Sequence, residues 1–94
     1  ATDYNPGSCS IQSMPFIIML SCIYLHMNIL EAIKSSTYIA AKSLMMENEI
    51  GSIEKGKKAD ILIWNLSRVE EIPYTIDSQQ LNLILKNGKS IFTA

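Results

Sequence analysis

Residues 14–25 are apolar almost without interruption: Phe16, Ile17, Ile18, Met19, Leu20, Cys22, Ile23, Tyr24 and Leu25 leave Ser21 as the main polar break. The pattern predicts a helix that begins near Ser13. Ser13 serves as N-cap, and Pro15 falls in the first turn, where a missing N–H costs nothing. A helix apolar on every side is expected to be enclosed by other structure and not to lie on a surface. Asn28 followed by Glu31 then forms an N-terminal capping box, and Ile29, Leu30, Ala32 and Ile33 give the next helix its apolar stripe. The Ser35-Ser36-Thr37 run is expected to break that helix. Ser36 or Thr37 would then cap a further short helix over residues 38–44.

Alternation replaces helical spacing in the second half. Gly51-Ser52-Ile53 reads as a short extended piece, and residues 59–66 are rich in strand formers. Residues 81–86 and 89–93 flank Asn87-Gly88. That pair is a strong hairpin signal, because a type I′ turn needs positive φ at both positions. Residues 69–80 read as a polar connection containing Pro73, and residues 1–10 as a loop dense in turn formers, Asn5-Pro6-Gly7-Ser8. Loop, about three helices and then antiparallel strands make an α+β chain.

Charge sharpens the division. Up to Met46 the full charges are Asp3, Glu31, Lys34 and Lys42; all others lie between Glu47 and Lys89. A half with so few charges cannot cover itself with a solvated surface, so it is expected to pack against material outside this chain. The leading alanine fits a segment of a longer polypeptide. Eight basic and nine acidic side chains give a net charge of −1, which provides no basic surplus for nucleic acid or an anionic membrane. The apolar stretch around residues 14–30 is interrupted by Ser21, His26 and Asn28 and is too short to span a bilayer. Cys9 and Cys22 show no disulfide framework, and the expected compartment is the cytoplasm.

Most chemical motifs reduce to ordinary readings. Gly51 to Lys58 approaches the phosphate-loop pattern, but Lys58 replaces the required hydroxyl and a strand follows instead of a helix. Glu54, Lys55, Lys57 and Lys58 therefore read as a solvated turn, with Gly51 and Gly56 supplying its geometry. Cys22 and His26 stand four residues apart, yet two ligands make no structural zinc site; a packed thiol and a helix-end histidine are favoured. Asp3 by itself reads as an ordinary turn residue that bonds nearby backbone N–H groups, with a catalytic role as the competing reading.

The segment Ala1-Thr2-Asp3-Tyr4-Asn5-Pro6-Gly7-Ser8 closely resembles the end of the eighth barrel strand in the imidazolonepropionase family of amidohydrolases. Glu31-Ala32 and the run from Thr37 to Leu44 look like the helical pair that follows that barrel. The stretch from Glu49 to Trp64, with its Gly-Ser-Ile and Ala-Asp blocks, is similar to the re-entry into the small β domain. Ile72-Pro73-Tyr74 and Lys86-Asn87-Gly88-Lys89 fit the closing strands. Two departures stand out: Thr75-Ile76-Asp77 replaces the usual His-Phe-Gly, and Asn28-Ile29-Leu30 replaces Thr-Pro-Glu.

The resemblance implies a (β/α)8 hydrolase with a small composite β domain. Residues 1–46 would close the barrel, and residues 47–94 would supply C-terminal strands of the β domain. It implies a metal-dependent opening of the imidazolone ring of 4-imidazolone-5-propanoate to N-formimino-L-glutamate in histidine degradation. Asp3 would be both catalytic group and metal ligand. Asn5, Gly7 and Ser8 would hold the small-molecule substrate. The ion would be zinc or iron in the full-length enzyme, with none held stoichiometrically by this segment, which is expected to be inactive alone. A homo-oligomer or self-association is expected, with neither nucleic acid nor membrane as partner. The competing readings are another amidohydrolase (a deaminase or cyclic amidase) and a non-catalytic association module.

Overall fold

A computed structural model describes residues 1–10, 12–74 and 80–93. The order is a loop, helix α1 (Met14–Tyr24), helix α2 (Ile29–Lys34), a π-helical segment (Ser35–Ile39), helix α3 (Ala40–Ser43), strand β1 (Ile61–Trp64), a 3-10 segment (Val69–Tyr74), strand β2 (Leu81–Lys86) and strand β3 (Lys89–Thr93). The α+β expectation holds: the described residues form three α-helices and one antiparallel three-stranded sheet of order β1-β2-β3.

Both helix starts follow local chemistry. The Ser13 hydroxyl accepts the Phe16 N–H, with proline in the first turn of α1. At α2 the Asn28 side chain accepts the Glu31 N–H at 2.8 Å, and the Glu31 carboxylate accepts the Asn28 N–H at 3.0 Å. The box is complete. The break expected at Ser35-Ser36-Thr37 is absent, and helical backbone runs from Ile29 to Ser43 through the π-helical segment. Ser36 and Thr37 donate their hydroxyls back to the carbonyls of Ala32 and Ile33, four residues earlier, instead of capping a new helix.

Helix α3 ends in a Schellman motif: Met46 N–H donates to Ala41 O at 2.9 Å and Met45 N–H to Lys42 O at 3.0 Å. Met45 takes φ +58° there, a position that usually holds glycine.

The hairpin forms as expected. Asn87 and Gly88 have φ of +54° and +80°, Lys86 pairs with Lys89, and a bulge lies between Ile84 and Leu85. Strand β1 pairs with β2, Ile61 opposite Leu85, and a second irregularity falls between Ile63 and Trp64. One expectation fails here. Residues 51–53 form a bend and no strand, because Gly51 at φ +95° turns the chain against the helices. The connection before β2 contains the 3-10 segment, which packs against α1 and buries Pro73. The Thr75-Ile76-Asp77 departure lies outside the described residues.

The core is thin. Among the described residues Ile18, Ala32 and Ala41 are the buried hydrophobic side chains. Ile23, Tyr24 and Leu25 at the end of α1 are more than half exposed, as is Leu30. The accessible surface is 6971 Å², against about 5,400 Å² for a compact monomer of this mass. Residues 14–22 of α1 are buried or half-buried, and its exposed apolar residues lie at its C-terminal end, Ile23 and Tyr24. None of its helices is long and apolar enough to cross a membrane.

Candidate active-site loop

Residues 2–9 are closed on themselves by backbone pairing: Asn5 N–H donates to Cys9 O at 2.8 Å, and Cys9 N–H to Asn5 O at 3.3 Å. The Asn5 side chain fills the loop. Its Oδ1 accepts the N–H groups of Gly7 (2.9 Å) and Ser8 (2.7 Å) and the Ser8 hydroxyl (3.1 Å). Its Nδ2 donates to Asp3 O at 3.1 Å and to Ser8 Oγ at 3.0 Å. This is an Asx turn extended by one hydroxyl. A Cβ on Gly7 would stand 3.3 Å from Asn5 Oδ1, so the glycine keeps the turn tight. The Cys9 thiol donates to Thr2 O at 3.3 Å, and Tyr4 N–H to Thr2 Oγ1 at 3.2 Å.

Asp3 sits at the mouth of this loop with φ +57°, the left-handed region that aspartate tolerates better than most residues. The side chain is exposed, and among the described residues none donates to its carboxylate. The structure thus brings Asp3, Asn5, Gly7 and Ser8 into one loop and divides their tasks. Asn5 has both donors and its acceptor engaged in the loop itself. The Asp3 carboxylate remains available to an incoming group.

Cys22 and His26 are not brought together as a helical ligand pair. Helix α1 ends at Tyr24, and His26 lies beyond it at φ +56°, so the four-residue spacing does not place both on one helical face. Both cysteines are free thiols.

The turn at residues 52–58 is more structured than a solvated loop. The Lys57 ammonium, half-buried, lies 2.9 Å from the Glu54 carboxylate and 2.6 Å from Ser52 Oγ, and 5.5 Å from the centroid of the Tyr38 ring. Ser52 in turn donates to Glu54. These bonds, Ser52 first and Lys57 next, hold the Glu54 carboxyl below its ordinary range. The cluster borders an open depression of about 650 Å³ lined by Leu30, Ile33, Tyr38 and Gly51 among others. No spacing in the sequence links Tyr38 to Lys57; only the fold of the chain back onto the π-helical segment does.

The chain matches the amidohydrolase family over residues 1–91. It belongs to that family. Curated relatives include imidazolonepropionases from Alkaliphilus oremlandii (43% identical over 91 residues, 97% of this chain and 22% of the relative), Symbiobacterium thermophilum (42%, covering 96% and 21%) and Alkaliphilus metalliredigens (38%, covering 97% and 22%). The chain thus spans about a fifth of the length of the curated relatives it matches.

Amidohydrolases generally use a divalent metal ion. Among the described residues no group of three or more His, Cys, Asp or Glu side chains gathers to hold one. A single exposed carboxylate does not fit a resident ion, which needs several donors at fixed geometry.

Proposed function

We propose that this amidohydrolase chain contributes the Asp3 loop to an imidazolonepropionase-type enzyme that opens the ring of 4-imidazolone-5-propanoate to N-formimino-L-glutamate. The observation that supports the reading is the preorganised loop itself. Asn5 holds the backbone, and the Asp3 carboxylate faces outward in a chain whose relatives bear that enzyme's name. Opening the ring adds water across a C–N bond. Asp3 accepts the proton of the attacking water and returns it to the departing ring nitrogen, general base and then general acid. Asn5, Gly7 and Ser8 would hold the propanoate by exchanging the bonds they make to one another in the closed loop for bonds to the ligand.

In this reading residues 1–46 finish a (β/α)8 barrel and residues 47–94 belong to a composite β domain of a cytoplasmic enzyme. The ion, zinc or iron, is held chiefly by residues beyond this chain, with Asp3 as one donor. The test is ring opening by the full polypeptide that carries this chain. Asp3→Asn is expected to lower kcat by at least about 100-fold, and the 94-residue chain alone to give no turnover. Activity within a few-fold of wild type in Asp3→Asn would remove Asp3 from the chemistry.

A second reading, self-association of the isolated chain, is favoured by the exposed Ile23, Tyr24, Leu25 and Leu30. The excess surface over a compact monomer, roughly 1,500 Å², exceeds the about 800 Å² that each partner buries in a standard interface. Light scattering at rising concentration tests it, and a constant monomer mass would refute it.

A further inference from the structure

We infer that Asn87 is a spontaneous modification site, an amide that converts to aspartate and isoaspartate at a rate set by a clamp on the hairpin turn. In an Asn-Gly pair the peptide nitrogen of glycine can attack the asparagine side-chain carbonyl. The N–C bond closes a succinimide and ammonia leaves; water then opens either C–N bond of the ring, giving aspartate or isoaspartate. No co-reactant beyond water is needed. Asn87 is exposed, and Gly88 presents no side chain to hinder the ring: a Cβ there would meet nothing nearer than Ala59 Cβ at 3.9 Å.

The nucleophile, however, is tied. Gly88 N–H donates to Ala59 O at 2.9 Å. The neighbouring Asp60 carboxylate accepts the Asn87 N–H at 2.8 Å and the Lys86 ammonium at 2.8 Å. Residues 59 and 60 therefore grip the turn from outside the hairpin, and Gly88 N must leave Ala59 O before it can attack. Conversion goes through local opening of the turn, so its rate reports that opening. Isoaspartate adds a methylene to the backbone at a two-residue turn and breaks the Lys86–Lys89 register.

The experiment follows the amide-to-acid mass gain in the peptide containing Asn87, with isoaspartate detection, in the 94-residue chain at mildly alkaline pH. Conversion is expected at Asn87 ahead of the other asparagines. Asp60→Ala, which removes the acceptor of the Asn87 N–H, is expected to speed it by about five-fold, the effect of losing one hydrogen bond's net stabilisation. Lys86→Met, which keeps the Asn87 N–H bond, should accelerate it less. Should Asp60→Ala melt the sheet, wild-type chain in concentrated denaturant replaces it, and faster conversion there than in buffer is the expected result. Equal rates in clamped and released turns, or no product at Asn87, would overturn the inference.

Discussion

Two asparagine-centred turns are secured from opposite distances. The loop at Asn5 is closed by its own side chain, every bond of which reaches no more than three residues. The turn at Asn87 is gripped by Asp60, twenty-seven residues away. The first needs only its own sequence to form. The second keeps its geometry only while β1 lies beside β2. The first arrangement presents the exposed Asp3 without depending on the thin core. The second depends on the sheet, because Asp60 reaches the turn only where β1 pairs with β2.

The largest expected effect separates chemistry from scaffold at the first turn. Asp3→Asn should abolish ring opening in the full polypeptide while leaving the Gly7 and Ser8 amides as protected from hydrogen exchange as in wild type. Gly51→Ala comes next. Its Cβ would lie 2.7 Å from Ala41 Cβ and 3.0 Å from Thr37 O at φ +95°; a loss of about 2–3 kcal/mol should appear in denaturant unfolding. If Gly51→Ala were neutral, the contact between the bend and the π-helical segment would not matter to stability.

Asn5→Ala removes the centre of the local loop. Exchange of the Gly7 and Ser8 amides should rise by roughly ten-fold, with strand amides unchanged; a change spreading to the sheet would contradict the local closure argued here.

Acid tests the distant clamp. The Lys86 ammonium, and then the Asn87 N–H, hold the Asp60 carboxyl below its usual range. A carboxyl lowered in the folded state contributes stability above its unfolded pKa, about 3.9, and that contribution disappears as pH falls through the lowered folded value. Hairpin amides should therefore lose protection below about pH 4, and Asp60→Asn should flatten that profile. The smallest effect is a gain: Met45→Gly at φ +58° should add about 0.5–1 kcal/mol, read from the unfolding midpoint.

Local chemistry was readable from the chain alone. Ser13, the Asn28–Glu31 box and Asn87-Gly88 fix element starts and a turn because each acts within three or four residues. The position of Asp3 in a turn-rich segment was readable for the same reason. What the sequence could not reveal was decided at long range. Ser36 and Thr37 had two local options, capping or back-bonding, and continuous helical backbone selected the second. Gly51 bends where a strand was expected because helix lies against it. Lys57 meets the Tyr38 ring only after the chain folds back, whereas its pair with Glu54 is local, and Asp60 reaches Asn87 only across paired strands. Short-range hydrogen bonds are set by spacing along the chain; ring contacts, ion pairs and close backbone approaches depend on which segments tertiary packing brings together.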